Sequence, residues 1–364
     1  MPRVQAKIPV GILGATGMVG QQLVVLLEQH PWFELVCVAA SENSAGKTYA
    51  EAVAGRWAPV QAIPDSVKNL IVLSVEHDKE FISSRCRLVF SAFEAEKQQV
   101  QAIELAYAGL GVAVVSNNSA HRWTPDVPML IPEINWQHLD IIPTQRQNRG
   151  WTTGLLVTKP NCSLQSYVPI LQAWKIFQPT RVIVSTYQAV SGAGKTLSSW
   201  PEMVDNVIPF IAGEEYKSET EPQKIWATLK DGEFCLDQSI KISANCVRVP
   251  VSHGHMAVLN VEFATKPSLA DLVWQIENFA NPLADLHLPS APVKFLTYFT
   301  EEDRPQTKLD RDLFQGMGIS VGRLRPDSVF DWKCVGLSHN LLRGAAGGSV
   351  LNAELLVAKG LVSN

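Results

Sequence analysis

Long apolar runs, paired cysteines and an excess of either charge are all missing from this 364-residue chain. No apolar stretch approaches the roughly 18 to 20 residues of a membrane span, and the opening MPRVQAKIPV lacks the apolar segment of a secretory leader. A soluble, cytosolic protein that does not engage a membrane is expected. The six cysteines, Cys37, Cys86, Cys162, Cys235, Cys246 and Cys334, are scattered, with neither a C-x-x-C pair nor zinc-ribbon spacing. That argues against a disulfide framework and against a metal site. Lys plus Arg number 31 against 35 Asp plus Glu, a formal net charge of −4 without any block of like charges, so no nucleic-acid partner is expected. Internal repeats and low-complexity tracts are absent as well. What is present is 46% hydrophobic and 18% charged sequence, too apolar for disorder and long enough for about two domains.

Ile8 to Leu13 reads as a short buried strand, Gly14 to Gly20 as a tight turn, and Met18 to Gln29 as a helix carrying Val19, Leu23, Leu26 and Leu27 on its apolar side. Leu35 to Ala40 is a second buried strand. Apolar runs at Leu88 to Phe93 and Val112 to Ser116 flank a helical stretch, Glu94 to Gly109, with Val100, Ile103, Leu105 and Ala106 largely on one stripe. Strand and helix in alternation predict an α/β fold with a Rossmann-type, doubly wound parallel sheet. Past about residue 157 the strands become longer and β-branched, at Thr180 to Gln188, Ile240 to Val251 and Met256 to Ala264, which predicts an α+β second domain with a mixed sheet. The tail has a glycine-rich turn, Gly344 to Gly348, and then a helix with Val350, Leu351, Leu355, Leu356 and Val357. Such a helix needs a surface to cover, and the open side of the first domain is the natural one. The expected division is 1–157 plus 337–364, closed by the tail helix, and 158–336.

Gly14, Gly17 and Gly20 have G-x-x-G-x-x-G spacing between a first strand and a first helix. The first glycine permits the turn, the second lets backbone approach a pyrophosphate, and the third allows helix to pack on strand, with Thr16, Met18 and Val19 at the helix start facing the anion. Dinucleotide binding is expected. At the end of the second strand, Ser41, Ser44 and Lys47 form a set suited to a 2′-phosphate and favour NADP, although Glu42 argues for NAD.

Lys159-Pro160-Asn161-Cys162-Ser163 precedes a helical pattern, Leu164 to Phe177, with Leu164, Val168, Leu171 and Trp174 on one stripe. Asn161 is a good N-cap, which places Cys162 in a first helical turn, where free amides and the dipole favour thiolate. A thiolate beside a nicotinamide cofactor points to aldehyde oxidation through a thioester, and that chemistry needs a base. Arg248-Val249-Pro250-Val251-Ser252-His253-Gly254-His255 offers two histidines. Arg248 lies in an otherwise apolar strand, where a buried guanidinium needs a carboxylate, its own or a substrate's. The run Glu214 to Pro222 reads by itself as a solvated helix face.

Together GATGMVG (Gly14 to Gly20), KPNCS (Lys159 to Ser163), QAVSGAG (Gln188 to Gly194), EEYKSETEPQKIW (Glu214 to Trp226) and RVPVSHGH (Arg248 to His255) resemble the aspartate-β-semialdehyde dehydrogenase family, most closely its archaeal and fungal branch, over nearly the whole chain. The resemblance implies Cys162 as nucleophile, His255 as general acid and base, and Gln188 as the residue positioning the thiohemiacetal or thioester. It implies Arg248 on the substrate α-carboxylate, Glu214 or the adjacent Glu215 on its α-ammonium, and Lys217 with Arg122 on phosphate. Ser191, Gly192 and the segment from Asn340 to Gly348, including Gly347, would face the nicotinamide half of NADP. The implied reaction converts L-aspartyl-4-phosphate and NADPH reversibly to L-aspartate-4-semialdehyde, inorganic phosphate and NADP, on the route to lysine, threonine, methionine and isoleucine, in a homodimer or homotetramer. The alternatives are an N-acetyl-γ-glutamyl-phosphate reductase, whose substrate has no ammonium for Glu214 to meet, and a catalytically silent NADP-binding regulator.

Overall fold

The structure is a computed structural model that describes residues 6–363; residues 1–5 and 364, which the expected first domain and the opening MPRVQAKIPV include, lie outside the described residues. Among the described residues the chain forms two six-stranded sheets and one hairpin. The first sheet contains β1 (Ile8–Leu13), β2 (Phe33–Ala40), β3 (Leu73–Ser74), β4 (Leu88–Ser91), β5 (Ala113–Ser116) and β6 (Leu155–Thr158), in the order β3-β2-β1-β4-β5-β6. All its pairings are parallel, as expected of a doubly wound sheet. Covered on both faces, its central strands are continuous apolar runs rather than alternating ones.

On one face Val10 and Ile12 pack with Leu23 and Leu27 of the first helix, Met18–Leu27, and with Val350, Leu351 and Leu355 of the C-terminal helix, Ala346–Ala358. The C-terminal helix lies against the first helix and β5. Leu351, Leu355 and Leu356 are fully buried, and truncating any one to alanine costs about 2–5 kcal/mol, so the tail is an integral part of the first unit. The other face packs Leu13, Val89 and Val114 against Ile103 and Tyr107 of helix Lys97–Gly109. Here the buried stripe differs from the expected one. Val100, Ile103, Glu104 and Tyr107 point inward while Leu105 and Ala106 are half-buried. Glu104 is admitted because its Oε1 accepts hydrogen bonds from the Ser91 and Ser116 hydroxyls, each at 2.6 Å, and burial holds its carboxyl above the usual range.

The second half contributes β7 (Pro179–Gln188), the hairpin β8 (Thr228–Lys230) and β9 (Glu233–Cys235), then β10 (Lys241–Arg248), β11 (His255–Phe263), β12 (Leu296–Tyr298), β13 (Ile319–Pro326) and β14 (Trp332–Ser338). The large sheet runs β10-β7-β11-β14-β13-β12 and is mixed: β10 on β7 and β12 on β13 are parallel, the others antiparallel. Val182, Val184, Ala257 and Leu259 face inward onto Leu171, Trp174, Leu272 and Ile276, while Ile183 and Tyr187 point outward and are exposed. The strand expected to reach Val251 stops at Arg248, since Pro250 has no amide to donate. β14 runs to Ser338. Both outer strands are closed by glutamates from neighbouring helices: Glu219 and Glu215 of helix Glu214–Ile225 accept from the Ala244 and Cys246 amides of β10, and Glu277 accepts from the Tyr298 amide of β12.

Candidate active site

The glycine turn forms as its spacing requires. Gly14 has φ +91°, and a Cβ on Gly20 would lie 2.1 Å from the Gly14 carbonyl oxygen, so a side chain at either would break the strand-to-helix passage. Gly17 caps the first helix without a side chain, leaving its first amides open to an anion. From this turn a cleft of about 980 Å³ runs to Ser191 and Gly192. Gly14, Thr16, Gly17, Met18, Val19, Ser41, Ser191 and Gly192 line it, and its form fits an extended dinucleotide. Four residues expected there are placed elsewhere. Lys47 turns its Nζ to the Asn43 carbonyl, Ser44 is buried beneath Arg56, and Gly347 packs toward Met317, where a Cβ would lie 2.7 Å from the sulfur. Asn340 acts from behind the lining: its Nδ2 donates to Ser191 Oγ at 2.9 Å and its Oδ1 accepts from the Gly254 amide at 2.8 Å. Glu42 engages the Ser74 hydroxyl.

β6 leads out of the first sheet directly to Lys159 and Cys162. The Asn161 cap is present, with Oδ1 accepting from the Ser163 amide at 2.9 Å and the Ser163 hydroxyl at 2.7 Å. The long helix behind it is not. A 3-10 turn, Cys162–Ser166, is followed after Tyr167 by a short α-helix, Val168–Ala173, because Pro169 cannot continue an α-helical ladder back through the turn. The thiolate expected from a helix dipole is replaced by a different resting state. Desolvation and the Glu214 carboxylate push the Cys162 thiol up to about 11, against the opposing charges of Lys159, Arg122 and Arg248. Its partner is the buried His255, whose Nε2 lies 3.3 Å from Sγ. Burial, with Arg248 adding, pushes that imidazole down to about 3, and the Ala189 amide donates to its Nδ1 at 3.1 Å. The ring proton therefore sits on Nε2, pointing at sulfur. His253, the other histidine of the pair, stacks on His339 at 5.3 Å instead.

Arg248, at the end of β10, is 5% exposed and forms no ion pair among the described residues; its hydrogen bond is from Nη1 to the Ala189 carbonyl at 2.7 Å. Burial draws its guanidinium below the usual range. Glu214 is buried opposite: Oε1 accepts from Asn161 Nδ2 and from Lys217 Nζ, each at 2.8 Å, and Oε2 accepts from Gln188 Nε2 at 3.2 Å. Of the adjacent glutamates it is Glu214 that faces the thiol, since Glu215 is spent on β10. Gly192 joins this cluster to the cleft, for a Cβ there would lie 2.8 Å from Arg248 Nη1 and 3.0 Å from His255 Nε2. Arg122 is nearby but committed: Nη1 pairs with Glu221 at 2.8 Å, Nε donates to the Lys159 carbonyl at 2.8 Å and Nη2 to the Asn117 carbonyl at 3.2 Å. Three of its donor nitrogens are thus engaged within the protein. Lys159, given no role by its motif, is buried against Gly348, and burial followed by Arg343 draws its ammonium down to about 7. Among the described residues no group of three or more His, Cys, Asp or Glu is placed to hold a metal, and no helix is long and apolar enough to cross a membrane.

A dinucleotide cleft abutting a thiol–imidazole pair defines a class of dehydrogenases that work through an enzyme-bound thioester, and the chain belongs to the semialdehyde dehydrogenase family. Models of that family match over residues 9–142, its NAD binding domain, and 168–343, its dimerisation domain. The relatives are aspartate-semialdehyde dehydrogenases: that of Archaeoglobus fulgidus is 41% identical over 356 residues, covering 98% of this chain and 100% of its own length. The enzyme of Aspergillus fumigatus is 40% identical over 361 residues, covering 97% and 98%. The crystal structure of aspartate-semialdehyde dehydrogenase with NADP from Candida albicans has a TM-score of 0.87 at 34% identity, covering 98% of this chain and 100% of that one.

Proposed function

We propose that this chain reduces L-aspartyl-4-phosphate with NADPH to L-aspartate-4-semialdehyde, reversibly, releasing inorganic phosphate and passing through a thioester on Cys162. The observation that carries the reading is one cluster that sets Cys162 Sγ 3.3 Å from His255 Nε2, with a buried guanidinium at Arg248 that has no carboxylate partner among the described residues, and a buried carboxylate at Glu214. Arg248 takes the substrate α-carboxylate and Glu214 its ammonium, exchanging Lys217 for it. The released Lys217 is then free for phosphate. This two-point hold sets the acyl carbon against sulfur, and much of the barrier is met by that positioning. Sγ bonds to the acyl carbon, the carbon–oxygen bond to phosphate breaks, and the thiol proton leaves with the phosphate. His255 Nε2–H supports the sulfur as it becomes negative and the carbonyl oxygen as it does so in turn. The nicotinamide coenzyme, when bound in the cleft, supplies hydride to the thioester carbon. One proton is then passed by way of His255 to the thiohemiacetal oxygen, and collapse of that adduct re-forms the thiol and frees the aldehyde. Gln188, tied to Glu214, fixes the carboxylate's orientation and borders the same adduct.

The chain divides, in this reading, into an NADP-binding unit, 1–157 with the C-terminal helix, and a catalytic and dimerisation unit ending at about 336. A homodimer or homotetramer formed through the outer face of the second sheet, where Ile183 and Tyr187 are exposed, fits that division. Free cysteines throughout, including the exposed Cys235, suit the reducing cytosol. The test is phosphate-dependent NADP reduction with L-aspartate-4-semialdehyde, beside N-acetyl-glutamate-5-semialdehyde and with NAD in parallel. Activity with the free amine and NADP, lost in Cys162→Ala, is expected. Activity confined to the acetylated compound overturns the role of Glu214, and turnover by Cys162→Ala overturns the thioester.

A further inference from the structure

We propose that Arg56 reads the 2′-phosphate of NADP, and this rests on the reading that the cleft takes that coenzyme. Among the described residues lining the cleft Arg56 is the one lysine or arginine, while Glu42, Glu76 and Glu94 are acidic. A 2′-phosphate brought beside Glu42 therefore needs a cation, and Lys47 is turned away onto the Asn43 carbonyl. Arg56 stands at the right end of the cleft. It lines the cleft together with Ala40 and Ser41, where β2 ends and the adenosine ribose of a dinucleotide is expected.

Its guanidinium is oriented for the purpose. Nε and Nη2 both donate to the Ala52 carbonyl, at 2.9 and 2.5 Å, and Nη2 also to Ser44 Oγ at 3.1 Å, while Nη1 has no hydrogen bond among the described residues. The loop carrying it is pinned to the glycine turn by the buried side chain of Gln21. Its Nε2 donates to the Thr16 carbonyl at 2.9 Å and the Arg56 carbonyl at 3.1 Å, and its Oε1 accepts from the Ala58 amide at 2.8 Å. One glutamine thus holds the pyrophosphate turn and the arginine loop at a fixed spacing. A guanidinium held by Nε and Nη2 with Nη1 left to donate, in the cleft that Ser41 also lines, suits a phosphate dianion and has no such charge to pair with in NAD.

Equilibrium titration of the full-length protein with NADPH, NADH, 2′,5′-ADP and 5′-AMP tests the assignment. Arg56→Gln is expected to weaken NADPH and 2′,5′-ADP by about 10- to 100-fold, the scale of one or two lost charged hydrogen bonds, and to leave NADH and 5′-AMP within about twofold. Arg56→Lys, which keeps the charge without the fork, falls between. NADPH binding undiminished in Arg56→Gln, or equal weakening of all four ligands, overturns the proposal. Wild-type protein that binds NADH as tightly as NADPH overturns the cofactor reading with it.

Discussion

Arg248→Met separates a substrate-binding guanidinium from a structural one, because the two roles predict opposite changes in stability. Arg248 is 5% exposed, and among the described residues its side chain donates to the Ala189 carbonyl alone. A buried charge without a counter-ion costs several kcal/mol of desolvation, and methionine of similar length removes that cost. Against it stands the loss of one charged hydrogen bond to the Ala189 carbonyl, about 1.5–3 kcal/mol, an oxygen that keeps the Gly192 amide at 3.0 Å as a donor. The folded variant is therefore expected to match or exceed the wild type in urea denaturation. Activity moves the other way. Two charged hydrogen bonds to a carboxylate, at about 1.5–3 kcal/mol each, amount to roughly a 100- to 10,000-fold fall in kcat/KM for L-aspartate-4-semialdehyde, mostly through KM. Arg248→Lys keeps charge and loses the fork, so it falls between. A variant that loses more than about 3 kcal/mol of stability, or keeps the wild-type KM, refutes the reasoning.

Gly192→Ala places a methyl 2.8 Å from Arg248 Nη1 and 3.0 Å from His255 Nε2, so either must shift by several tenths of an ångström. A fall of about 10- to 100-fold in kcat/KM with an unchanged melting temperature is expected, and wild-type turnover would show that the loop stands off in the working enzyme. His255 is held neutral to about 3 against an ordinary 6.5, so below pH 6.5 the unfolded chain binds a proton that the folded chain refuses. Stability falls as pH drops through that window, by up to about 1.4 kcal/mol per pH unit from this residue. His255→Asn should flatten the slope of denaturation free energy between pH 6.5 and 5; an unchanged slope would place the proton elsewhere. Glu133 grips the buried Arg343 through hydrogen bonds of 2.7 and 2.5 Å, and Glu133→Gln strands that guanidinium at a cost of about 3–5 kcal/mol, read by chemical denaturation. A loss under 1 kcal/mol would mean that Gln165, which also accepts from Arg343, suffices.

Local features of the chain were legible where one residue does its work through its own backbone or its nearest neighbours. The glycine turn, the Asn161 cap and the apolar strands of the first sheet are of that kind, and each is found at its expected place. Cys162, His255, Arg248 and Glu214 were brought together by family resemblance rather than by spacing. Charged side chains in loops were not legible, because which way they turn depends on residues far away in the chain. Arg56 was given no role by the sequence, and its place beside the cleft depends on Gln21, 35 residues earlier, which holds its carbonyl. Arg122 looks free until Glu221, 99 residues on, is seen to hold it. Glu104 defeated the helical stripe for the same reason, since Ser91 and Ser116 come from two different strands. The raised Cys162 thiol depends on burial and on Glu214, 52 residues further along the chain, which local spacing does not place beside it.

The glutamates at the two rims of the second sheet have a consequence for assembly. A strand with free amides is an invitation to lengthen the sheet with a neighbour's strand, and such growth has no natural end. Here Glu215 and Glu219 take the Cys246 and Ala244 amides at the β10 rim, and Glu277 takes the Tyr298 amide at the β12 rim. A neighbour's strand arriving at either rim meets carboxylates where it would need amides, and open-ended growth of the sheet is disfavoured there.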